Sequence, residues 1–200
     1  MADPTAIAKA LIRRKGAVRS RELVQAGVAR AQLSRLVTSG ELIRLSRGVY
    51  SIPGGSAREM DDGVLVVAER MPGVRLCLLT ALRLHELTTQ APFEVWIAID
   101  NKDRAPRTDW PPLRVVRFSG EALDAGLEIR KLGGRRVRVT GVAKTVADCF
   151  KFRGLVGLDV AIEALREALR KRATRVDDLW KYARLCRVDK LMRPYLEALS

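Results

Sequence analysis

Apolar residues recur at helical spacing near the start of the chain, with Ile7, Leu11 and Ile12 giving a stripe that ends at Gly16. Asp3-Pro4 ahead of it supplies an N-cap and a first-turn proline. Two shorter helices are predicted next. The first covers residues 21–26, with Ser20 as its N-cap and Gly27 after it; the second covers 30–39, with Leu33, Leu36 and Val37 on one face and Gly40 after it. Residues 41–45 and 49–52 are apolar and β-branched around the turn Ser46-Arg47-Gly48, which predicts a hairpin. Pro53-Gly54-Gly55-Ser56 breaks both helix and strand and is read as a linker.

Beyond it, Met60, Val64, Val67 and Ala68 predict a helix over 58–71, with Asp61 and Asp62 in its first turns, where the macrodipole favours acid. A second helix is predicted over 80–86. The clearest strand is 93–99, where Phe93, Val95, Ile97 and Ile99 share a face, and 113–118 is expected to be its sheet neighbour. Residues 127–132 and 135–140 flank Gly133-Gly134 as a second hairpin, its arginines facing water and Val137 and Val139 facing core. Helices are predicted over 142–152, 158–172, 176–185 and 191–199. This order of strands followed by helices gives an α+β class, with one domain over 1–54 and another over 58–200.

The element pattern of residues 20–54 reads as a winged helix-turn-helix, followed by a mixed α/β C-terminal domain that ends in a helical segment. Turning about 100° per residue places Ala31, Arg35 and Thr38 opposite the apolar stripe of the second short helix, flanked by Gln32 and Ser34. A helix of this kind fits the major groove of B-DNA, with Gln32 and Arg35 at base edges and Arg44 and Arg47 of the hairpin over phosphates. The candidate DNA-binding set is Arg30, Gln32, Ser34, Arg35, Thr38, Arg44 and Arg47. Solvated charges on a small helical domain account for the same residues without a ligand.

Charge sharpens the choice. Lys and Arg number 37 against 23 Asp and Glu, a net +14 that favours a polyanionic partner. Residues 1–54 hold ten basic and three acidic residues and the rest 27 and 20, so the N-terminal part is the more densely charged. A second basic surface, for a partner or nucleic acid, is read at Arg135, Arg136, Arg138, Lys144 and Lys151, with a solvated sheet face as the plain alternative.

Cys77, Cys149 and Cys186 are widely spaced in apolar surroundings and are read as reduced core thiols. His85, the single histidine, is read as structural; Thr145 and Asp148 are read as capping and helix-dipole residues. Residues 141–145 lack the glycines of a phosphate-binding loop. Asp100-Asn101-Lys102 and Glu128-Ile129-Arg130 only approach the carboxylate–lysine pattern of a metal nuclease. No membrane span or leader peptide is read, and a cytoplasmic chain without metal, cofactor or enzymatic activity is expected.

Three stretches in order carry a resemblance: RAQLSRLVTSGELIRLSRGVYSIP (30–53), LLTALRLHELT (78–88) leading into FEVWIAI (93–99), and VTGVAKTVADCFKFRGLVGLDVAIEALREAL (139–169). Together they resemble the AbiEi family of antitoxins and transcriptional regulators, paired with AbiE-type nucleotidyltransferase toxins in abortive phage infection. The resemblance implies an N-terminal winged domain that represses its own operon by binding operator DNA. It implies also a C-terminal domain that neutralises the toxin, and it identifies no toxin-contact residue. The competing readings are a stand-alone winged-helix regulator with a ligand-sensing or dimerising C-terminal domain, and a metal-dependent nuclease targeted to DNA.

Overall fold

A computed structural model describes residues 3–15, 17–53, 59–90, 92, 94–108 and 110–199, with the side chains of 46 and 59–62 outside the description. The expected roles of Gly16, of the Gly54-Gly55-Ser56 linker, of Phe93 and of the Asp61 and Asp62 side chains therefore fall outside the described residues.

The N-terminal part holds helices α1 (Pro4–Lys15), α2 (Ser20–Gln25) and α3 (Arg30–Thr38) and strands β1 (Val18–Arg19), β2 (Ile43–Ser46) and β3 (Val49–Ser51). The strands form an antiparallel sheet in the order β1-β3-β2. Ala8, Ile12, Leu23, Leu33, Leu36 and Leu42 come together in its core, so the helical stripes read from the sequence do face inward. Ser20 is the first residue of α2 rather than its cap; the Glu22 carboxylate reaches back to accept from the Arg19 amide at 3.3 Å. Gly27 and Gly40 end α2 and α3 at φ +97° and +75°, conformations that cost a side chain-bearing residue steric strain.

The second part begins with α4 (Glu59–Arg70), β4 (Arg75–Leu76) and α5 (Leu78–Leu84), followed by β5 (Val95–Asp100), β6 (Leu113–Phe118), β7 (Leu127–Leu132) and β8 (Arg135–Thr140). Its five strands run in the order β6-β5-β4-β8-β7. β5 pairs with β6 and β4 with β8 in parallel, whereas β4–β5 and β7–β8 are antiparallel. Helices α6 (Val142–Lys151), α7 (Arg153–Val156), α8 (Leu158–Arg170), α9 (Val176–Leu185) and α10 (Asp189–Leu199) complete the chain. One sheet face, through Val95, Ile97, Val137 and Val139, packs on Val64 and Val67 of α4. The other, through Trp96, Ala98, Val116 and Phe118, packs on α6, α8, α9 and α10.

The two parts share buried surface. Ala17 and Val49 of the N-terminal part meet Leu65 and Val66 of α4, all four buried, with Leu45, Trp110 and Leu132 against them. The hairpin between β7 and β8 lies against the end of α1 so closely that a Cβ on Gly134, at φ +73°, would sit 1.7 Å from the Arg14 carbonyl oxygen. Only glycine fits there, both for its backbone conformation and for the approach.

Candidate nucleic-acid interface

Helix α3 presents its polar side outward because Leu33 and Leu36 are drawn into the core. Arg30, Ser34, Arg35 and Thr38 are exposed on it, and Arg44 and Arg47 are exposed on β2 and the turn before β3. These six expected contacts thus lie on solvent-facing positions of a helix and the hairpin that follows it. Among the described residues no carboxylate pairs with Arg30, Arg35 or Arg47. Gln32 differs. Its side-chain carbonyl accepts from the Ala29 amide at 3.0 Å, stitching the start of α3 and leaving the residue half-buried. Thr38 donates its hydroxyl to the Ser34 carbonyl at 3.1 Å.

The second basic set is not one surface. Lys144 is completely buried: its ammonium stands 2.6 Å from both oxygens of Asp148, one helical turn along α6. Thr145, facing the same interior, donates to the Thr140 carbonyl at 2.8 Å and lies 2.7 Å from the Thr140 hydroxyl. The capping and dipole roles expected for Thr145 and Asp148, and the surface role expected for Lys144, are therefore corrected: all three are interior polar groups whose hydrogen bonds are met by buried neighbours. Burial raises the Asp148 carboxyl above its usual range, with Lys144 opposing. Lys151 is half-buried, its ammonium 5.9 Å from the Phe118 ring and 5.7 Å from the Phe152 ring.

Arg135 is drawn inward as well. Its guanidinium meets Glu22 of α2 at 3.2 Å and pairs with Glu69 of α4, so it joins the two parts of the chain rather than facing solvent. Arg19 Nε adds a 3.0 Å contact to Glu69, and Lys15 pairs with Glu22. Burial raises the Glu22 carboxyl, but the Lys15 and Arg19 hydrogen bonds and the charges of Arg135 and Lys15 outweigh it and hold the group at about 2. Glu69 moves the other way: burial raises it, Arg135 opposes, and the neighbouring Glu22 charge raises it further. Only Arg136 and Arg138 of the five remain exposed. The junction residues Arg19, Glu22 and Glu69 carry no mark in the sequence, because periodicity reveals apolar stripes and gives no signal for a charge that crosses from one unit to another.

The remaining candidates take simpler positions. His85 is half-buried with Nε2 2.7 Å from the Thr140 carbonyl oxygen. Cys77, Cys149 and Cys186 are free and buried. Asp100 and Glu128 lie on β5 and β7, which β4 and β8 separate, so the two partial nuclease patterns are not neighbours. Among the described residues no helix is long and apolar enough to cross a membrane.

No curated protein matches the chain. Among solved structures, the crystal structure of the RV2827C protein from Mycobacterium tuberculosis matches it with a TM-score of 0.55 at 16% identity, covering 100% of this chain and 81% of that one. At that identity the likeness speaks for the α+β fold alone. Residues 6–53, the segment that contains most of α1, α2, α3 and the three-stranded sheet, match the model of a family described as transcriptional regulator, AbiEi antitoxin. Over this segment the chain is similar to the AbiEi antitoxin family of transcriptional regulators, the family its sequence resembles.

Proposed function

We propose that residues 1–54 act as a winged helix-turn-helix that binds operator DNA and represses its own operon, while residues 58–200 neutralise a nucleotidyltransferase toxin in the cytoplasm. The observation that carries the DNA half is the placement of Arg30, Ser34, Arg35 and Thr38 on the outer side of α3, beside Arg44 and Arg47 on the adjoining hairpin. In this reading α3 enters the major groove, Arg35 is the base reader, and Arg47 holds the backbone. Gln32 is the weakest base reader of the set, since its carbonyl is engaged at the start of α3. Arg44 is assigned to phosphate, and Arg30, Ser34 and Thr38 to the groove edges.

The test compares operator and random duplexes. Arg35→Ala should cost on the order of 1–3 kcal/mol on the operator and little on random DNA, whereas Arg47→Ala should weaken both about equally. Equal losses on both duplexes for Arg35→Ala would refute the base-reading role. The antitoxin half is scored separately, by growth on co-expression with the product of a neighbouring nucleotidyltransferase gene; a chain that represses but never protects leaves only the stand-alone regulator.

A further inference from the structure

A groove of about 1020 Å³ runs between the two parts of the chain, with α2 on one wall and β8 on the other. Five cations line it: Lys15 and Arg21 from the N-terminal side, and Arg135, Arg136 and Arg138 from the hairpin. Its two carboxylates, Glu22 and Glu69, are already engaged by Lys15, Arg19 and Arg135. Arg21, Arg136 and Arg138 have no carboxylate partner among the described residues and are exposed. The groove therefore holds surplus positive charge on both walls. Apolar groups line it too: Met71 and Val74 border it, as does Ile129, 57% exposed, which stands opposite Arg138 across the β7–β8 ladder.

From this arrangement we infer that the groove is a binding site for a small organic phosphate, held by Arg21 on one wall and Arg136 and Arg138 on the other, with its apolar portion on Met71, Val74 and Ile129. Size favours a small ligand. Sites for such ligands run to roughly 1,000 Å³, whereas duplex DNA, whose major groove alone is about 12 Å wide, needs an open face. Charge favours phosphate, since guanidinium groups meet its oxygens in a planar two-point geometry and a cleft focuses their field. The apolar lining gives a nucleoside or similar group contacts that a bare inorganic anion would not use. Because one wall belongs to α2 and the other to β8, an occupant spans the junction that Arg135 makes with Glu22 and Glu69. This goes beyond the DNA reading and does not depend on it.

Calorimetric titration of the full chain in low salt, without divalent cations, tests the site with ATP, inorganic tripolyphosphate and adenosine as probes. ATP should bind more tightly than tripolyphosphate, and adenosine should give no measurable heat. Arg136→Glu with Arg138→Glu should weaken ATP at least tenfold, and Arg21→Glu on the opposite wall at least fivefold. Arg166→Glu with Arg187→Glu, exposed positions outside the groove that change the net charge equally, should leave affinity within twofold. Absence of ATP binding overturns the site. Equal loss in the control pair reduces it to diffuse attraction, and an unaffected Arg21→Glu variant overturns the two-walled groove. Displacement of bound ATP by an equimolar random duplex assigns the groove to nucleic acid and overturns the small-ligand reading. Operator affinity of each variant, measured alongside, separates these outcomes from failure of the DNA interface.

Discussion

The Lys144 ammonium sits 2.6 Å from each oxygen of Asp148, and neither side chain reaches solvent. The pair is packed between the sheet and the last helices: the Phe118 ring lies 4.9 Å from the ammonium, and Cys186 donates its thiol to Asp148 at 3.3 Å. Two buried charges in this setting tolerate joint removal far better than the loss of one. Lys144→Met should cost about 3–5 kcal/mol in urea unfolding by leaving Asp148 without its counter-charge. Lys144→Met with Asp148→Leu should recover most of that loss, since apolar replacement of such a pair is often neutral. A double variant as unstable as the single one would show that shape, not charge, decides the site.

The surrounding thiols lead to a chemical prediction. Burial pushes the Cys186 thiol up to about 12, with the Asp148 charge adding to it, and burial drives Cys77 and Cys149 well above the usual thiol range. Thiolate is the reactive species, so a disulfide reagent added to the native protein at neutral pH should find no fast-reacting thiol. All three should titrate after denaturation. A thiol that reacts with the native chain at the rate of free cysteine would contradict the packing of α6 against α9.

His85 makes stability depend on pH. Burial lowers its pKa; the Thr140 carbonyl opposes, Arg130 lowers it further and Glu128 raises it. The folded state thus favours neutral imidazole, while the unfolded chain takes up a proton near pH 6.5. The contribution is full above that value and is lost as pH falls through it toward the depressed folded pKa. Thermal melts at pH 7.5 and 5.5 should differ more for the wild-type chain than for His85→Gln, which keeps a side-chain donor within reach of Thr140. Identical pH sensitivities in the two proteins would remove His85 from the account.

What could be read from the sequence divides along physical lines. The α3 stripe of Leu33 and Leu36, the β7–β8 hairpin and the strand after Glu94 follow from periodicity, and each falls where it was expected. β4 could not be read: two residues show no alternation, yet it sits at the centre of the five-stranded sheet and joins the β5–β6 pair to the β7–β8 pair. Lys144 shows the other limit. Its neighbours suggested one basic face, but α6 points it inward to a partner only one turn away, and sequence proximity to Arg136 and Arg138 says nothing about which side of the backbone a lysine takes. The groove likewise depends on α2 and β8 meeting across more than a hundred residues of chain, which no local pattern records.

That meeting also bears on how far the two parts can be separated. Residues 58–200 contain a five-stranded sheet with helices on both faces, enough to bury a core of ordinary domain size. Yet Leu65 and Val66, 3% and 0% exposed, are covered in part by Ala17 and Val49 from the other side of the linker. Cutting at residue 58 would uncover both, and burying side chains of this kind contributes about 1.5–3 kcal/mol each when complete. Arg135 and Glu69 would keep each other but lose Glu22 and Arg19. The isolated fragment should therefore fold but melt below the full chain by roughly 10 °C, given about 2–4 °C per kcal/mol for domains of this size, and it should self-associate through the uncovered patch. Leu65→Gln with Val66→Thr in the fragment should restore a monomer, whereas the same pair in the full chain should lower its melt by leaving polar groups without partners in the shared cluster. A fragment that is monomeric and melts with the full chain would mean that the Ala17–Val49–Leu65–Val66 cluster contributes nothing, and that the two parts are independent domains joined only by their linker.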